Sequence, residues 1–215
     1  LMAEAEIPQF ADAICTAAEC GADALIVQDL GVARLARTVA PDLPLHASTQ
    51  MALHNLEGAR TAQRWGFSQI TLARELTFDE IRVIAAAGVP VEVFIHGALC
   101  YSYSGLCLMS AVRNGRSGNR GRCAYPCRDR YAIAGSGEDG LAFSMKDLAL
   151  GESVRALDEM GVACLKIEGR MKSPLYVAAV TDYYRRILDD AFRSERELRE
   201  AEEDLQTIFS RKWTR

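Results

Sequence analysis

Short apolar runs alternate with amphipathic stretches through the first hundred residues of the chain. The runs are consecutive rather than alternating, most clearly at residues 24–27, which is typical of parallel strands buried on both faces. The predicted strands cover residues 24–29, 44–49, 69–74 and 91–96. The predicted helices cover residues 9–20, 31–38, 51–65 and 78–87, the last with Thr77 as its N-cap. The pattern predicts a repeated β/α unit.

A fifth predicted strand, residues 163–168, follows after a gap of more than sixty residues. Predicted helices at 148–160 and 176–191 flank this strand. We therefore predict an α/β chain that forms part of a (β/α) TIM-type barrel, with about five βα units and a large insertion after the fourth visible strand. An open parallel sheet is the structural alternative.

Eight units close such a barrel, so we expect the chain to be a fragment of a longer protein. The expected division is residues 1–192 for the barrel part, including the insertion at 97–147, and residues 193–215 for the helical start of a linker or a further C-terminal domain. Residues 193–204 mix both signs of charge, which indicates a solvated helix.

Polar residues stand at or near the ends of the predicted strands, where barrel enzymes carry their chemistry. His96 and Glu168 are the tentative catalytic candidates. His96 would be an acid–base group or a hydrogen-bonding partner of the following loop. Lys166, Glu168 and Arg170 alternate along one strand and would bind an anionic ligand or form a structural ion network. The candidates for binding a substrate or a small donor molecule are His46, Gln50, Arg74, Lys166 and Arg170.

Four cysteines of the insertion are the strongest chemical signal: Cys100, Cys107, Cys123 and Cys127. The chain is 49% hydrophobic with a net charge of −4, and it has neither a secretory pattern nor a long apolar run. We expect a cytoplasmic protein without membrane contact, in which thiols stay reduced. The cysteines then indicate a metal site, and their spacing leaves iron–sulfur and zinc both open. Cys15, Cys20 and Cys164 are expected in the core.

Arginine is concentrated in the same insertion, although the whole chain is acidic. Guanidinium groups interleaved with glycine suit phosphate contacts, which makes the segment a candidate RNA-binding surface. The alternative is pairing with acidic helices or donation to sulfur atoms. The residues concerned are Arg113, Arg116, Arg120, Arg122, Arg128 and Arg130.

Several blocks of the chain resemble the collagenase-like peptidase family U-32. The blocks, in order, are residues 92–110 (EVFIHGALCYSYSGLCLMS), 116–128 (RSGNRGRCAYPCR), 144–148 (SMKDL) and 166–174 (KIEGRMKSP). The resemblance extends from about Asp23 to Asp189. It implies an oxygen-independent hydroxylase of an RNA base, in tRNA or 23S ribosomal RNA, with prephenate as the hydroxyl donor. It also implies that the four insertion cysteines hold a four-iron four-sulfur cluster.

Two other functions stay open. The family also has members described as collagenases, so a peptidase is one alternative. The sequence contains neither a His-Glu-x-x-His zinc motif nor a Gly-x-Ser-x-Gly nucleophile turn, and its histidines are His46, His54 and His96. The other alternative is an RNA-binding module that a structural zinc stabilises.

Overall fold

The chain forms two compact units. The computed structural model describes residues 1–132, 135, 139–169, 172–208 and 213–214. The first unit comprises Leu1–Val91 and Cys100–Ser144, and the second comprises Glu92–Leu99 and Met145–Arg215. None of the described helices is both long enough and apolar enough to cross a membrane.

Strands and helices alternate through the first hundred residues, as the apolar pattern predicts. The strands are β1 (Leu25–Val27), β2 (Leu45–Ala47), β3 (Phe67–Thr71), β4 (Val91–Ala98), β5 (Tyr131–Ala132), β6 (Asp139–Gly140), β7 (Asp147–Ala149), β8 (Cys164–Ile167) and β9 (Trp213–Thr214). The α-helices are α1 (Ile7–Glu19), α2 (Leu30–Val39), α3 (Leu56–Arg64), α4 (Phe78–Ala86), α5 (Met109–Asn114), α6 (Val154–Glu159), α7 (Pro174–Leu188) and α8 (Glu195–Ile208). The α/β class is confirmed, and the arrangement is compatible with part of a (β/α) barrel.

Parallel pairing of β1, β2 and β3 builds the core of the first unit. Leu25 lies opposite Leu45, and Ala47 lies opposite Ile70 on the next strand. Leu45, Ala47 and Ile70 are completely buried. Removing this apolar surface from water is the main stabilising contribution that the strands make.

The expectation that residues 24–27 are buried on both faces is wrong. Ile26 is 57% exposed, whereas Val27 beside it is buried. Within the described residues β1 is the end strand of its sheet and pairs with β2 alone. An apolar run therefore identifies the strand but not the burial of both of its faces.

Side-chain caps fix the starts of α2, α3 and α4. Thr77 caps α4 as predicted: its hydroxyl accepts from Glu80 N at 3.4 Å, and Thr77 N donates to Glu80 Oε2 at 2.7 Å. This reciprocal pair is a capping box. Asn55 caps α3 by accepting from Gly58 N at 2.7 Å, so the helix predicted from residue 51 begins at Leu56. Asp29 caps α2 through Gly31 N, at 2.8 Å.

Within the second unit, strand β4 is central and pairs with two strands. Its first part pairs parallel with β8, where Phe94 lies opposite Lys166. Its end pairs antiparallel with β7, where Gly97 lies opposite Leu148. At Gly97, which has φ +111°, a Cβ would lie 2.6 Å from Glu168 O, so only glycine fits this close approach.

Strand β7 was not among the predicted elements. Residues 148–160 were expected to form one helix, but the helix is confined to Val154–Glu159 after a 3₁₀ turn at Gly151–Ser153. Gly151 has φ +54°, which ends the extended segment. Strand β7 has only three residues, too few to show the period-two pattern of a strand. The later helix is confirmed as α7, with Ser173 as its N-cap.

The charged helix near the end of the described chain agrees with its prediction. Helix α8 carries three ion pairs with i,i+4 spacing at or near its first turns, between Arg193 and Glu197, Arg196 and Glu200, and Arg199 and Glu195. Such exposed pairs contribute little individually, about 0.3–0.5 kcal/mol each. They are consistent with a solvated helix.

The three cysteines outside the insertion differ in burial. Cys15 and Cys164 are half-buried, whereas Cys20 is exposed. The prediction of a core position is therefore wrong for Cys20. Cys20 is the C-cap of α1, beyond the last residue of the helix, so it lies outside the face that packs on the unit.

Candidate functional site

The four insertion cysteines lie on irregular segments of the first unit. Cys100 follows β4 closely and is exposed, while Cys107, Cys123 and Cys127 are half-buried. Helix α5 separates the first two cysteines from the second two, and Cys127 lies in the 3₁₀ turn Pro126–Arg128. Regular structure therefore fixes only part of this segment, and side-chain contacts must hold the rest.

The thiols of Cys100 and Cys123 lie within electrostatic range of the Cys127 thiol. Burial raises the pKa of the Cys127 thiol, the Arg128 guanidinium lowers it, and Cys100 and Cys123 raise it further. Tyr125 N donates to Cys123 Sγ at 3.4 Å, and Cys100 Sγ lies 3.2 Å from Ser102 Oγ. Hydrogen bonds to sulfur are among the features by which proteins tune iron–sulfur sites.

The chemistry of this donor set fits a soft metal or an iron–sulfur cluster. In the described part of the chain, no group of three or more His, Cys, Asp or Glu side chains is arranged to hold a metal ion.

Ser104 anchors the loop between Cys100 and Cys107. Its hydroxyl donates to Glu75 Oε2 at 2.5 Å and its backbone N–H donates to Glu75 Oε1 at 2.9 Å. The same hydroxyl accepts from Arg74 N at 3.1 Å, and Ser104 is only 3% exposed. Glu75 lies just beyond β3, so this contact fixes the cysteine loop to the carboxyl end of a core strand. Hydrogen bonds to a carboxylate are the stronger kind.

Gln50 provides a second anchor from the turn that follows β2. A Cβ on Gly105 would lie 2.7 Å from Gln50 Cγ, so the loop backbone approaches Gln50 as closely as glycine allows. Gln50 Nε2 also donates to Gly118 O at 3.4 Å. Gln50, expected to bind a small donor, thus contacts the cysteine segment at two places.

The other first-unit candidates lie on or beyond the same strands. His46 is the middle residue of β2, is half-buried, and lies opposite Ile26 and Gln69. Arg74 is half-buried beside Glu75. The first unit therefore brings Gln50, Arg74 and the cysteine loop together, as expected for residues at strand ends. Arg170 lies outside the described residues.

His96, in the second unit, is a buried and neutral side chain. It is 1% exposed, and its Nδ1 lies 3.0 Å from the Tyr184 hydroxyl. That hydroxyl donates its one hydrogen to Ile95 O at 3.1 Å, so His96 Nδ1 must be the donor to Tyr184. Burial lowers the pKa of His96 to about 4, and the Lys172 ammonium lowers it too. His96 therefore carries its hydrogen on Nδ1 and is uncharged at neutral pH.

Lys166 lies on β8 and Glu168 directly follows that strand, and the two residues have different contacts. Lys166 Nζ lies 2.8 Å from Glu92 Oε1 and 5.6 Å from the centre of the Phe94 ring, and Glu92 is 5% exposed. A buried carboxylate needs such a partner, which favours the structural ion pair for Lys166. Glu168 is half-buried, and its backbone O accepts from the Tyr176 hydroxyl at 3.1 Å.

The six arginines of the insertion divide by their contacts. Arg120 forms an ion pair with Glu6, Arg128 donates to Ser144 Oγ at 2.9 Å, and Arg130 donates to Asp139 O at 2.6 Å. The Arg113 guanidinium lies 4.9 Å above the Tyr131 ring. Arg116 and Arg122 are exposed, and among the described residues no side-chain hydrogen bond or ion pair of theirs is found. Both expected roles, RNA contact and internal pairing, thus have candidates in this segment.

Two features of the site are missing from the sequence prediction. The Ser104–Glu75 contact joins residues 29 positions apart, and only a fold can show it. The second feature is a set of three exposed tyrosines in the cysteine loops, Tyr101, Tyr103 and Tyr125. Their positions between the paired cysteines can be read from the sequence and could have indicated a binding surface.

The first unit combines strands and helices in an α/β arrangement with a cysteine-rich segment fixed to the strand ends. The family model described as Peptidase family U32 matches residues 1–215. The chain belongs to peptidase family U32, as the sequence blocks predicted.

Relatives of the chain carry two kinds of name. It is 44% identical over 177 residues to 23S rRNA 5-hydroxycytidine C2501 synthase of Escherichia coli (strain K12), an alignment that covers 80% of this chain and 27% of the relative. It is 41% identical over 177 residues to tRNA hydroxylation protein P1 of Bacillus subtilis (strain 168), covering 77% of this chain and 42% of the relative.

A third relative is named Collagenase, from Porphyromonas gingivalis (strain ATCC BAA-308 / W83). It is 32% identical over 210 residues, with 87% of this chain and 50% of the relative covered. The chain thus spans between about a quarter and a half of the length of these three relatives.

Replacing Glu75 by Ala is expected to loosen the loop between Cys100 and Cys107. Ser104 N–H and its hydroxyl would lose a charged acceptor, which costs about 1.5–3 kcal/mol. Hydrogen exchange at the Ser104 amide should accelerate about 10- to 100-fold, as native-state exchange measured by mass spectrometry would show. Glu57→Ala, which removes only an exposed ion pair with Arg60, is the control. Equal loop protection in wild type and Glu75→Ala would refute the anchoring role.

His96 should make the stability of the fold depend on pH. Since its pKa falls from about 6.5 when unfolded to about 4 when folded, the unfolded chain binds the extra proton. Stability is complete above about pH 6.5 and decreases by about 3 kcal/mol as the pH falls to about 4. Urea unfolding at a series of pH values measures this loss. The His96→Asn variant, which keeps a donor near Nδ1, should show a flatter profile; an identical slope in both proteins would refute the assignment.

Proposed function

We propose that this chain belongs to an enzyme that hydroxylates a base of tRNA or 23S ribosomal RNA. The observation that carries the proposal is identity of 44% and 41%, over most of the chain, to two proteins named for RNA hydroxylation. The arginine-rich segment supports it, because exposed guanidinium groups suit the phosphates of RNA. A hydroxylase also accounts for a cysteine segment that a simple peptidase would not need.

We assign the candidate cofactor to Cys100, Cys107, Cys123 and Cys127, as ligands of a four-iron four-sulfur cluster, with zinc as the alternative. A bound cluster would supply electron-transfer or Lewis-acid chemistry at the loop. The chain's own contribution is positional: Glu75 and Ser104 hold the first cysteine pair, and Gln50 contacts the segment from the turn after β2.

The hydroxyl group would come from prephenate, a small dicarboxylate, rather than from dioxygen. In the first unit, the residues proposed to bind this hydroxyl donor are Arg74, His46 and Gln50. The guanidinium group of Arg74 suits a carboxylate. For Lys166 the ion pair with Glu92 favours a structural role. For His96, burial and the bond to Tyr184 favour orientation of β4 over acid–base chemistry.

The peptidase alternative is supported by the relative named Collagenase. A Ser-His or Cys-His peptidase would require a histidine beside a nucleophile. Two of the three histidines have other contacts: His54 Nδ1 bonds the carbonyl of Ala52 at 2.8 Å, and His96 Nδ1 bonds Tyr184. These contacts give no support to a catalytic role for His54 or His96 in peptide cleavage.

The function is tested by comparing the nucleosides of tRNA and 23S ribosomal RNA from a strain that lacks the gene with those of its parent. Mass spectrometry should show the loss of one hydroxylated pyrimidine and its return when the wild-type gene is restored. A Cys123→Ser gene should fail to restore it, whereas Cys20→Ser, which changes an exposed helix-end cysteine, should succeed.

Identical nucleoside profiles in the deletion strain and its parent would refute RNA hydroxylation. Full restoration by Cys123→Ser would refute a cysteine-held cofactor while leaving the hydroxylase in place. Cleavage of gelatin by the purified protein, together with unchanged nucleosides, would support the peptidase. Tight RNA binding without any change in nucleosides would support the zinc-stabilised binding module.

A further inference from the structure

Three tyrosine rings of the cysteine loops are left in solvent. Tyr101 is 53% exposed, Tyr103 is 45% exposed, and Tyr125 is 48% exposed. Tyr101 and Tyr103 lie between Cys100 and Cys107, and Tyr125 lies between Cys123 and Cys127. Burying a large aromatic ring contributes more favourable free energy than burying most other side chains. Several exposed rings in one small segment therefore indicate a ligand-binding surface.

The ring of Tyr101 packs against a neighbouring aromatic ring. It meets Phe143 edge to face with ring centres 5.2 Å apart, and Phe143 meets Tyr131 in the same way at 5.1 Å. The Arg113 guanidinium covers the Tyr131 ring. This row of rings fixes the orientation of Tyr101 before any ligand arrives, which lowers the entropy lost on binding.

Tyr125 is presented by a strained backbone. Its φ of +58° and ψ of +40° lie in the left-handed region, which is costly for a tyrosine. Tyr125 O accepts from Arg128 N at 2.9 Å, and the Tyr131 hydroxyl donates to the neighbouring Pro126 O at 2.6 Å. Strained residues that the surroundings hold in place are typical of ligand-binding sites.

A continuous set of contacts joins the two tyrosine-bearing loops. Tyr101 packs on Phe143, Phe143 packs on Tyr131, and the Tyr131 hydroxyl donates to Pro126 O beside Tyr125. Exposed cations belong to the same segment, at Arg116 and Arg122. The surface thus combines aromatic faces with positive charge, which is the combination that binds single-stranded nucleic acid.

We propose that Tyr101, Tyr103 and Tyr125, together with Arg116 and Arg122, receive an unpaired segment of RNA, with a base stacked on a tyrosine beside the cysteines. This inference rests on the proposed function, since it takes RNA as the substrate, and deepens it by naming the surface and the form of RNA. Bases inside a duplex cannot offer their faces, so the surface selects single strands or flipped nucleotides.

The test uses the complete natural protein and fluorescence anisotropy with a short fluorescein-labelled single-stranded RNA and the matching duplex. Tyr101→Ala and Tyr125→Ala should each weaken single-strand binding about 5- to 100-fold. Tyr101→Phe and Tyr125→Phe should stay within about twofold of wild type, because they keep the stacking face. Trp65→Ala, which removes a ring 52% exposed before the start of β3, is the matched control and should bind as wild type.

The charges are tested by salt titration of the same binding. Arg116→Gln and Arg122→Gln should each reduce the slope of log affinity against log salt by about one. Arg199→Gln, on the exposed face of α8, is the matched control and should leave the slope unchanged.

Single-strand affinities of the Tyr→Ala variants equal to wild type would overturn this inference, as would equal weakening for the duplex. Unchanged RNA binding together with loss of a co-purifying protein would overturn it in favour of a protein-docking surface. The proposed function is judged separately, by the nucleoside profile. Variants that bind and hydroxylate RNA normally refute only the stacking surface, and a deletion strain with unchanged nucleosides refutes only the hydroxylase.

Discussion

The candidate site of the first unit depends on the hydrogen bonds that Ser104 forms. The described residues between 100 and 144 form one short α-helix, two 3₁₀ turns and a pair of two-residue strands, so little of the segment is held by its own backbone hydrogen bonds. Glu75 and Arg74 hold Ser104 from the end of β3, and Gln50 meets Gly105 from the turn after β2. Core strands thus determine where Cys100 and Cys107 lie, and the tyrosines beside them follow.

The second unit shows how a plausible catalytic residue can be a structural one. A histidine at a strand end, four positions before a cysteine, suggests acid–base chemistry in sequence. Yet His96 is buried, carries its hydrogen on Nδ1 toward Tyr184, and has a pKa lowered to about 4. A group with these properties stays neutral at physiological pH and orients its strand. Lys166 is a parallel case, because its ammonium neutralises the buried carboxylate of Glu92.

Periodicity predicted the β/α order, because it depends on residues close together in the chain. The cysteine site that motif spacing indicates stays a prediction. The N-cap role of Thr77 is a prediction of the same local kind and is confirmed, and the structure adds the return bond to Glu80. Strand β7 was missed because three residues carry no clear period, and the exposure of Ile26 was missed because it depends on what lies beside β1. The division of the six arginines between internal partners and solvent was equally invisible, since Glu6 and Arg120 are far apart in sequence.

The central claim is that the segment around Cys100, Cys107, Cys123 and Cys127 is a cofactor site rather than a set of unrelated thiols. The most direct measurement is the iron and acid-labile sulfide content of the protein purified without oxygen, with its visible and paramagnetic resonance spectra. The account predicts a brown protein with about four irons and four sulfides per chain, which a serine at any one of the four positions diminishes. A colourless protein that binds a single zinc ion, or no metal, would contradict it.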